Sequence, residues 1–254
     1  MAPAAAPLIV RRGRVDSTQA IVFALAAEGA ADRTVVVADS QAAGRGRRGR
    51  VWHDEPGESL LCSILLRPRL TPAQLPTLSL TAGVAVAEAL ARAAGLAPRL
   101  KWPNDVLVDD RKIAGILLES RPAPASPVAP SPAATAASAS IIALGIGINI
   151  AQRSFPPELA MRATSVRLAG GDVDRDTLLT ALLDALDVWR ARLEREGFAP
   201  VRERWRALAD TLGRRVSVDG VTGTAVDVDG DGALLIDDGV AWRRVLGGVV
   251  NEVD

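Results

Sequence analysis

An α+β fold, with a body of strands and helices followed by a small all-β barrel, is what this sequence predicts, and three observations predict it. The chain has 254 residues, 48% of them apolar. That suffices for one sizeable core plus a small appended module, at about 150 residues per domain. Up to residue 212, β-branched runs such as 34–38 alternate with Ala/Leu-rich stretches at helical spacing such as 76–94. From Gly213 onward the pattern changes to short alternating strands separated by Asp-Gly turns.

The elements follow in order. Residues 1–7 are Ala/Pro-rich and are expected to be disordered. Residues 8–10 open a short strand, and Asp16 or Ser17 caps a helix that ends near Gly29. Residues 34–38 form a strand, 41–50 a Gly/Arg-rich loop, and 60–66 a buried strand. A long helix over 76–94 is closed by Gly95. Residues 100–105 start extended, because the residue before Pro103 avoids the helical region. A hairpin follows, 106–108 and 112–119, turning at Asp109-Asp110. Residues 121–139 are Pro, Ala and Ser almost throughout and read as an exposed, functionally silent loop. A central strand over 141–150 is interrupted by Gly145 and Gly147. Asp174 or Asp176 caps a helix to about Glu196, and another helix runs from about Pro200 to Leu212. The division is thus 1–7, 8–212 and 213–254, with the insertion at 121–139.

Composition excludes several kinds of chemistry. Cys62 is the one cysteine and His53 the one histidine, so a disulfide scaffold and Cys/His metal sites are not expected. A Ser-His-Asp mechanism would have to run through His53 alone. The longest apolar run, 141–150, is half a membrane span, and the N-terminus lacks the basic start of a secretory signal. A cytoplasmic protein with no membrane partner is the expectation. Thirty basic and thirty acidic residues sum to zero, which argues against bulk binding to nucleic acid.

Local charge is more informative. Gly44-Arg45-Gly46-Arg47-Arg48-Gly49-Arg50, with Trp52 beyond it, sets four arginines among three glycines. Glycine lets backbone approach a ligand, and arginine forks grip phosphate or carboxylate oxygens. The loop suits a polyphosphate or an acyl-adenylate; equally it suits a solvated basic loop or an Arg/Gly contact to RNA. Lys101-Trp102-Pro103-Asn104-Asp105, leading to Lys112 and Gly115, places lysines in a chain with very few. It reads either as a ligand turn or as an Asn/Asp β-turn. Gly145-Ile146-Gly147-Ile148-Asn149 marks either a close ligand approach or packing glycines. Asp16-Ser17-Thr18-Gln19 is a polar clamp at a helix start or plain capping.

Taken together and in this order, these four segments resemble the biotin protein ligases. That family shows an Asp-Ser-Thr-Asn segment, the Gly/Arg loop with a nearby Trp, the Lys-Trp-Pro-Asn-Asp segment leading to a Lys and an Ala-Gly-Ile, and a Gly-x-Gly-x-Asn strand. The resemblance spans roughly residues 8–254 and includes an SH3-like C-terminal domain. It implies the mixed-sheet catalytic domain of the biotin/lipoate ligase type. It also implies a two-step reaction: biotin and MgATP give biotinyl-5′-AMP, and a lysine of a biotin carboxyl carrier domain then takes the biotin. It is read as the monofunctional form, without an N-terminal DNA-binding domain, and as a possible homodimer. Gln19 departs from the family's Asn.

Carried onto this chain, the resemblance implies catalytic roles for Lys112, Arg45 and Arg47. Biotin would be bound by Ser17, Thr18, Gln19, Gln41, Arg45, Gly46, Arg47, Lys112, Gly115 and Gly145, with Gly115 and Gly145 letting backbone close on the fused rings. ATP and the adenylate would meet Arg48, Arg50, Trp52, Lys101, Asn104, Asp105 and Asn149. No residue is singled out as a certain direct metal ligand; Mg2+ is bound with ATP, near Asp105. A lipoate or octanoate transferase of the same fold is the rival enzyme; the rival of another class is an RNA-binding module.

Overall fold

The structure is a computed structural model that describes residues 6–122 and 140–253. The segment expected to be a silent insertion lies, from 123 to 139, outside the described residues, as do residues 1–5 of the N-terminus.

The strands β1 (Ile9–Val15), β2 (Val35–Gln41), β3 (Ser59–Leu66), β4 (Arg99–Lys101), β5 (Asp105–Val108), β6 (Arg111–Pro122) and β7 (Ser140–Asn149) form one sheet. Its order is β1-β2-β3-β7-β6-β5-β4. Only β1 and β2 run parallel, so the sheet is mixed. Helix α1 (Thr18–Ala27) covers one face. Helices α2 (Leu75–Ala94), α4 (Arg175–Glu196) and α5 (Ala199–Leu208) build the core on the other; α3 (Pro157–Ala160) is a single turn. Asp174 caps α4, its carboxylate accepting from the amides of Asp176 and Thr177 at 2.9 Å each. Gly95 ends α2 in the left-handed region. By length and composition the helix at Pro72–Ala94 could cross a membrane, but 67% of its apolar 18-residue window is buried in the protein.

Side-chain alternation sets the site's location. Ile142, Leu144, Ile146 and Ile148 of β7 face the large core, while Ile141 and Ala143 face α1. The α1 face of β7 then continues through Gly145 and Gly147 to Asn149, where the side-chain layer thins. These glycines do not interrupt the strand. Pairing runs unbroken on both sides, from Ser59↔Asn149 to Leu66↔Ile142 and from Ala114↔Ile148 to Pro122↔Ser140. Arg121 and Pro122 therefore belong to β6, not to the insertion, because strand pairing holds them. The guanidinium of Arg121 stacks 3.9 Å from the Phe23 ring centroid.

Two further boundaries move for tertiary reasons. The strand expected at 8–10 extends through Val15 because β2 pairs along it as far as Gln41. Helix α5 stops at Leu208 rather than Leu212: Ala209 turns extended to bridge Leu100, and the Asp210 amide donates to the Leu100 carbonyl at 2.8 Å.

The tail forms a second, antiparallel sheet in the order β11-β10-β9-β8-β12. Its strands are β8 (Arg215–Val218), β9 (Val221–Val228), β10 (Leu234–Asp237), β11 (Trp242–Val245) and β12 (Asn251–Glu252). Its apolar side, including Val216, Val218, Leu234 and Ile236, merges with the large core. Trp102, preceding Pro103 in a cis peptide bond, stitches the two sheets together. Its amide donates to Thr211 Oγ1 at 2.9 Å, and its buried indole N–H donates to the Gly232 carbonyl at 3.0 Å.

Candidate active site

The Gly/Arg loop between β2 and β3 folds into a narrow hairpin. Arg45 bridges Val51, and the Gly46 amide donates to the Arg50 carbonyl at 2.7 Å. An open cleft of about 450 Å³ is lined by residues 43–51 together with Leu117 and Glu119 of β6. All four loop arginines therefore border one opening. Arg45 pairs with Glu119 at 2.9 Å and Arg48 with Asp219 at 2.5 Å. Arg47 donates to Asn104 Oδ1 at 3.0 Å and to the Gly248 carbonyl at 3.4 Å. Arg50 is exposed and has no ion-pair partner among the described residues. Burial lowers the pKa of Arg47, opposed by the nearby Asp105 charge; the hydrogen bond to Asp219 raises that of Arg48.

Beside the cleft, Gly115 of β6 and Gly147 of β7 are register partners. Their missing side chains leave a flat cradle, and the Trp52 indole fills it. A Cβ at Gly147 would lie 2.7 Å from the ring, and one at Gly115 2.9 Å. The bare face of Gly115, expected to close on biotin, meets Trp52 here. A Cβ at Gly145 would stand 3.0 Å from Cδ of Gln19. The buried Trp52 N–H has no partner among the described residues. Lys112 Nζ sits 5.7 Å from the indole centroid and 2.6 Å from Asp105 Oδ1.

The start of α1 forms a polar network of its own. The amide of Thr18 donates to Gln41 Oε1 at 2.9 Å, and the Thr18 hydroxyl lies 3.1 Å from that oxygen and 2.7 Å from Ser63 Oγ. Asp54 accepts from the Gln41 amide at 3.2 Å, and burial raises its carboxyl pKa. Ser17 is buried at the helix N-cap. Gln19 is buried as well; its Nε2 donates to the carbonyls of Leu117 (3.0 Å) and Ala143 (3.2 Å), bracing α1 against β6 and β7.

Of the residues singled out in the sequence, the structure gathers Arg45, Gly46, Arg47, Arg48, Arg50 and Asn104 at the cleft, and Trp52, Asp105, Lys112 and Gly115 beside it. Two stand apart. Lys101 pairs with Glu252 of β12 at 2.9 Å, and Asn149 is buried with its Nδ2 donating to the Thr164 carbonyl at 2.9 Å. Sequence reasoning missed Ser63, Asp54, Glu119, Asp219 and Gly248. Only Glu119 carries a local signal, since it follows Gly115 and Leu117 at period two on the same face of β6.

Comparison with known proteins bears on what this site serves. Residues 13–128 match the model of the biotin/lipoate A/B protein ligase family. The biotin–[acetyl-CoA-carboxylase] ligase of Paracoccus denitrificans is 37% identical over 245 residues, covering 92% of this chain and 95% of that protein. The bifunctional ligase/repressor BirA of Bacillus spizizenii is 35% identical over 230 residues, covering 88% of this chain and 67% of that protein. The solved biotin protein ligase of Aquifex aeolicus, in complex with biotin and ATP, superposes with a TM-score of 0.80 at 29% identity. It covers 97% of this chain and 99% of its own. With two relatives above 30% identity aligned along most of its length, this chain belongs to the biotin protein ligases of the biotin/lipoate ligase family.

Proposed function

We propose that this protein activates biotin with MgATP as biotinyl-5′-AMP and passes biotin to a lysine of a biotin carboxyl carrier domain. The cleft bordered by Arg45, Arg47, Arg48 and Arg50 carries this reading. The biotin carboxylate and the triphosphate are both anions, and their mutual repulsion opposes attack of carboxylate on the α-phosphorus. Fixed guanidinium groups offset that repulsion and hold the two in line. In the first step a carboxylate oxygen bonds to the α-phosphorus and the bond to the leaving pyrophosphate breaks. In the second, the carrier lysine's neutral amine attacks the biotin carbonyl and AMP leaves.

In this reading Lys112 stabilises the charge developing on the carboxylate and α-phosphate, and Asp105 holds its ammonium in place. Ser17, Thr18 and Gln41 bind the polar head of biotin; Gln19 supports them from behind. Trp52 lifts from its glycine cradle when the adenylate enters, and the loop then shields the anhydride from water. Lys101 and Asn149, held apart from the cleft by Glu252 and the Thr164 carbonyl, take no part in these steps. Magnesium keeps several of its waters and takes only one or two carboxylates, and the carboxylate this reading places near it, Asp105, is paired with Lys112. Magnesium therefore enters on ATP, as part of the substrate.

The decisive measurement is biotin-dependent exchange of labelled pyrophosphate into ATP. The reading requires exchange that needs both biotin and the intact arginine loop. Exchange driven equally by lipoate or octanoate would move the assignment to the rival acyl transfer. The reading includes a cytoplasmic location, where ATP and carrier meet, and no role on DNA. It also includes pairing of two copies through the main sheet, for which sedimentation with and without biotin and ATP is the test.

A further inference from the structure

We propose that Asp219, from the C-terminal barrel, is a positioning residue that holds the arginine loop in its folded form before any ligand arrives. Two turns meet tip to tip. In the loop, Arg48 and Gly49 have φ of 56° and 74°; in the turn between β8 and β9, Asp219 and Gly220 have φ of 47° and 87°. Each is a two-residue turn with both central residues left-handed, a geometry that favours Asn-Gly or Asp-Gly. Asp219-Gly220 matches that preference. Arg48-Gly49 does not, because arginine has no short polar side chain to support the left-handed form.

A residue held this way persists only when its surroundings over-determine it. The partner of Arg48 is the Asp219 carboxylate, at 2.5 Å. The adjacent Arg47 is tied to the same barrel through the Gly248 carbonyl, and a Cβ at Gly247 would stand 3.3 Å from its guanidinium. The barrel thus grips two consecutive arginines at the loop's tip from two separate segments, 219 and 247–248. Without that grip, the ligand's own binding energy would have to order the loop.

The inference rests on the loop being the adenylate-binding element, and the experiment separates the two claims. Asp219→Asn keeps size and left-handed tolerance while removing the charge; Asp219→Ala is the second variant. Amide hydrogen exchange at residues 46–50 is read on the ligand-free protein, which needs no biotin chemistry. The expected result is exchange faster by about two- to five-fold, the range of an exposed ion pair. The Kd of a non-hydrolysable biotinyl-adenylate mimic weakens by the same factor, and KM rises more than kcat falls. Both differences from wild type shrink toward zero in about 1 M salt. Unchanged exchange overturns the proposal, as does faster exchange with unchanged affinity. Tighter binding overturns it too, because Asp219 would then be competing with the ligand for Arg48. Failure of the wild-type protein to bind the mimic would strike the proposed function and leave the exchange result to decide the loop.

Discussion

Replacing Gly147 by alanine tests whether Trp52 and its glycine cradle are a working part of the site. The new Cβ would lie 2.7, 2.8 and 3.2 Å from three atoms of the Trp52 ring. Carbon atoms in contact settle at about 3.5–4.0 Å, so the indole must retreat by about 1 Å. Trp52 stands on a loop rather than in the core, so the ring can yield. The stability cost is then expected near the lower end of the 1–3 kcal/mol typical of overpacking, a fall of about 2–4 °C in Tm. Function should suffer more. The Trp52 amide donates to the Gly44 carbonyl at 3.0 Å, so a displaced Trp52 drags the root of the arginine loop with it. A misplacement of about 1 Å can cost about 100-fold in rate. Pyrophosphate exchange and a thermal melt on the same sample give both numbers. Gly223→Ala supplies the contrast, because its Cβ would stand 2.1 Å from the Asp237 carbonyl oxygen, which is backbone and cannot swing away. That variant should lose far more stability, with exchange falling only in step with the folded fraction. Wild-type exchange in Gly147→Ala, at either Tm, would refute the cradle's role.

Four other outcomes follow from the same geometry. Lys112→Ala should cut exchange by about 100- to 1000-fold while Tm moves only a few degrees, since it removes a cation at the reacting oxygens and not a core side chain. Arg47→Ala loses its bonds to Asn104 and Gly248, so adenylate should escape about tenfold faster in a filter-retention assay. Trp102→Phe leaves the buried Gly232 carbonyl without its donor and should cost about 1–3 kcal/mol by denaturant titration. Burial pushes the Cys62 thiol up to about 12, so iodoacetamide should label it at pH 8 only after unfolding. The native state keeps that proton between pH 9 and 12 while the unfolded chain gives it up, so Cys62 makes stability fall as pH rises through this window. With no tyrosine and only Lys101 and Lys112 as lysines, few other groups titrate there. The decline should therefore be visibly shallower in Cys62→Ala.

How much of this was legible in the sequence depends on the range of the interaction concerned. The alternation of strands and helices, the long helix α2 and the change of character at Gly213 are written in local periodicity, and the structure follows them; that the sheet is mixed was implied by the family resemblance. The arginine loop was legible because four arginines among three glycines have few structural uses. Boundaries failed where a distant partner decides them. The end of α5 is set by Leu100, about a hundred residues away in sequence, and Arg121 and Pro122 join a strand because Ile141 and Ser140 pair with them. The glycines of β7 show the limit most clearly. Their spacing announces that something packs close to the strand, but spacing cannot say what. Glycine is an absence, and any flat group from any part of the chain fills it equally well. For Gly145 the occupant is Gln19, and for Gly147 it is Trp52. The grip of Asp219 and Gly248 on the arginines had no local signal at all, since an Asp-Gly turn reads as an ordinary hairpin until the opposing turn is seen. A site assembled from two sheets is therefore legible residue by residue on the side that carries the charge, and illegible on the side that holds the charge still.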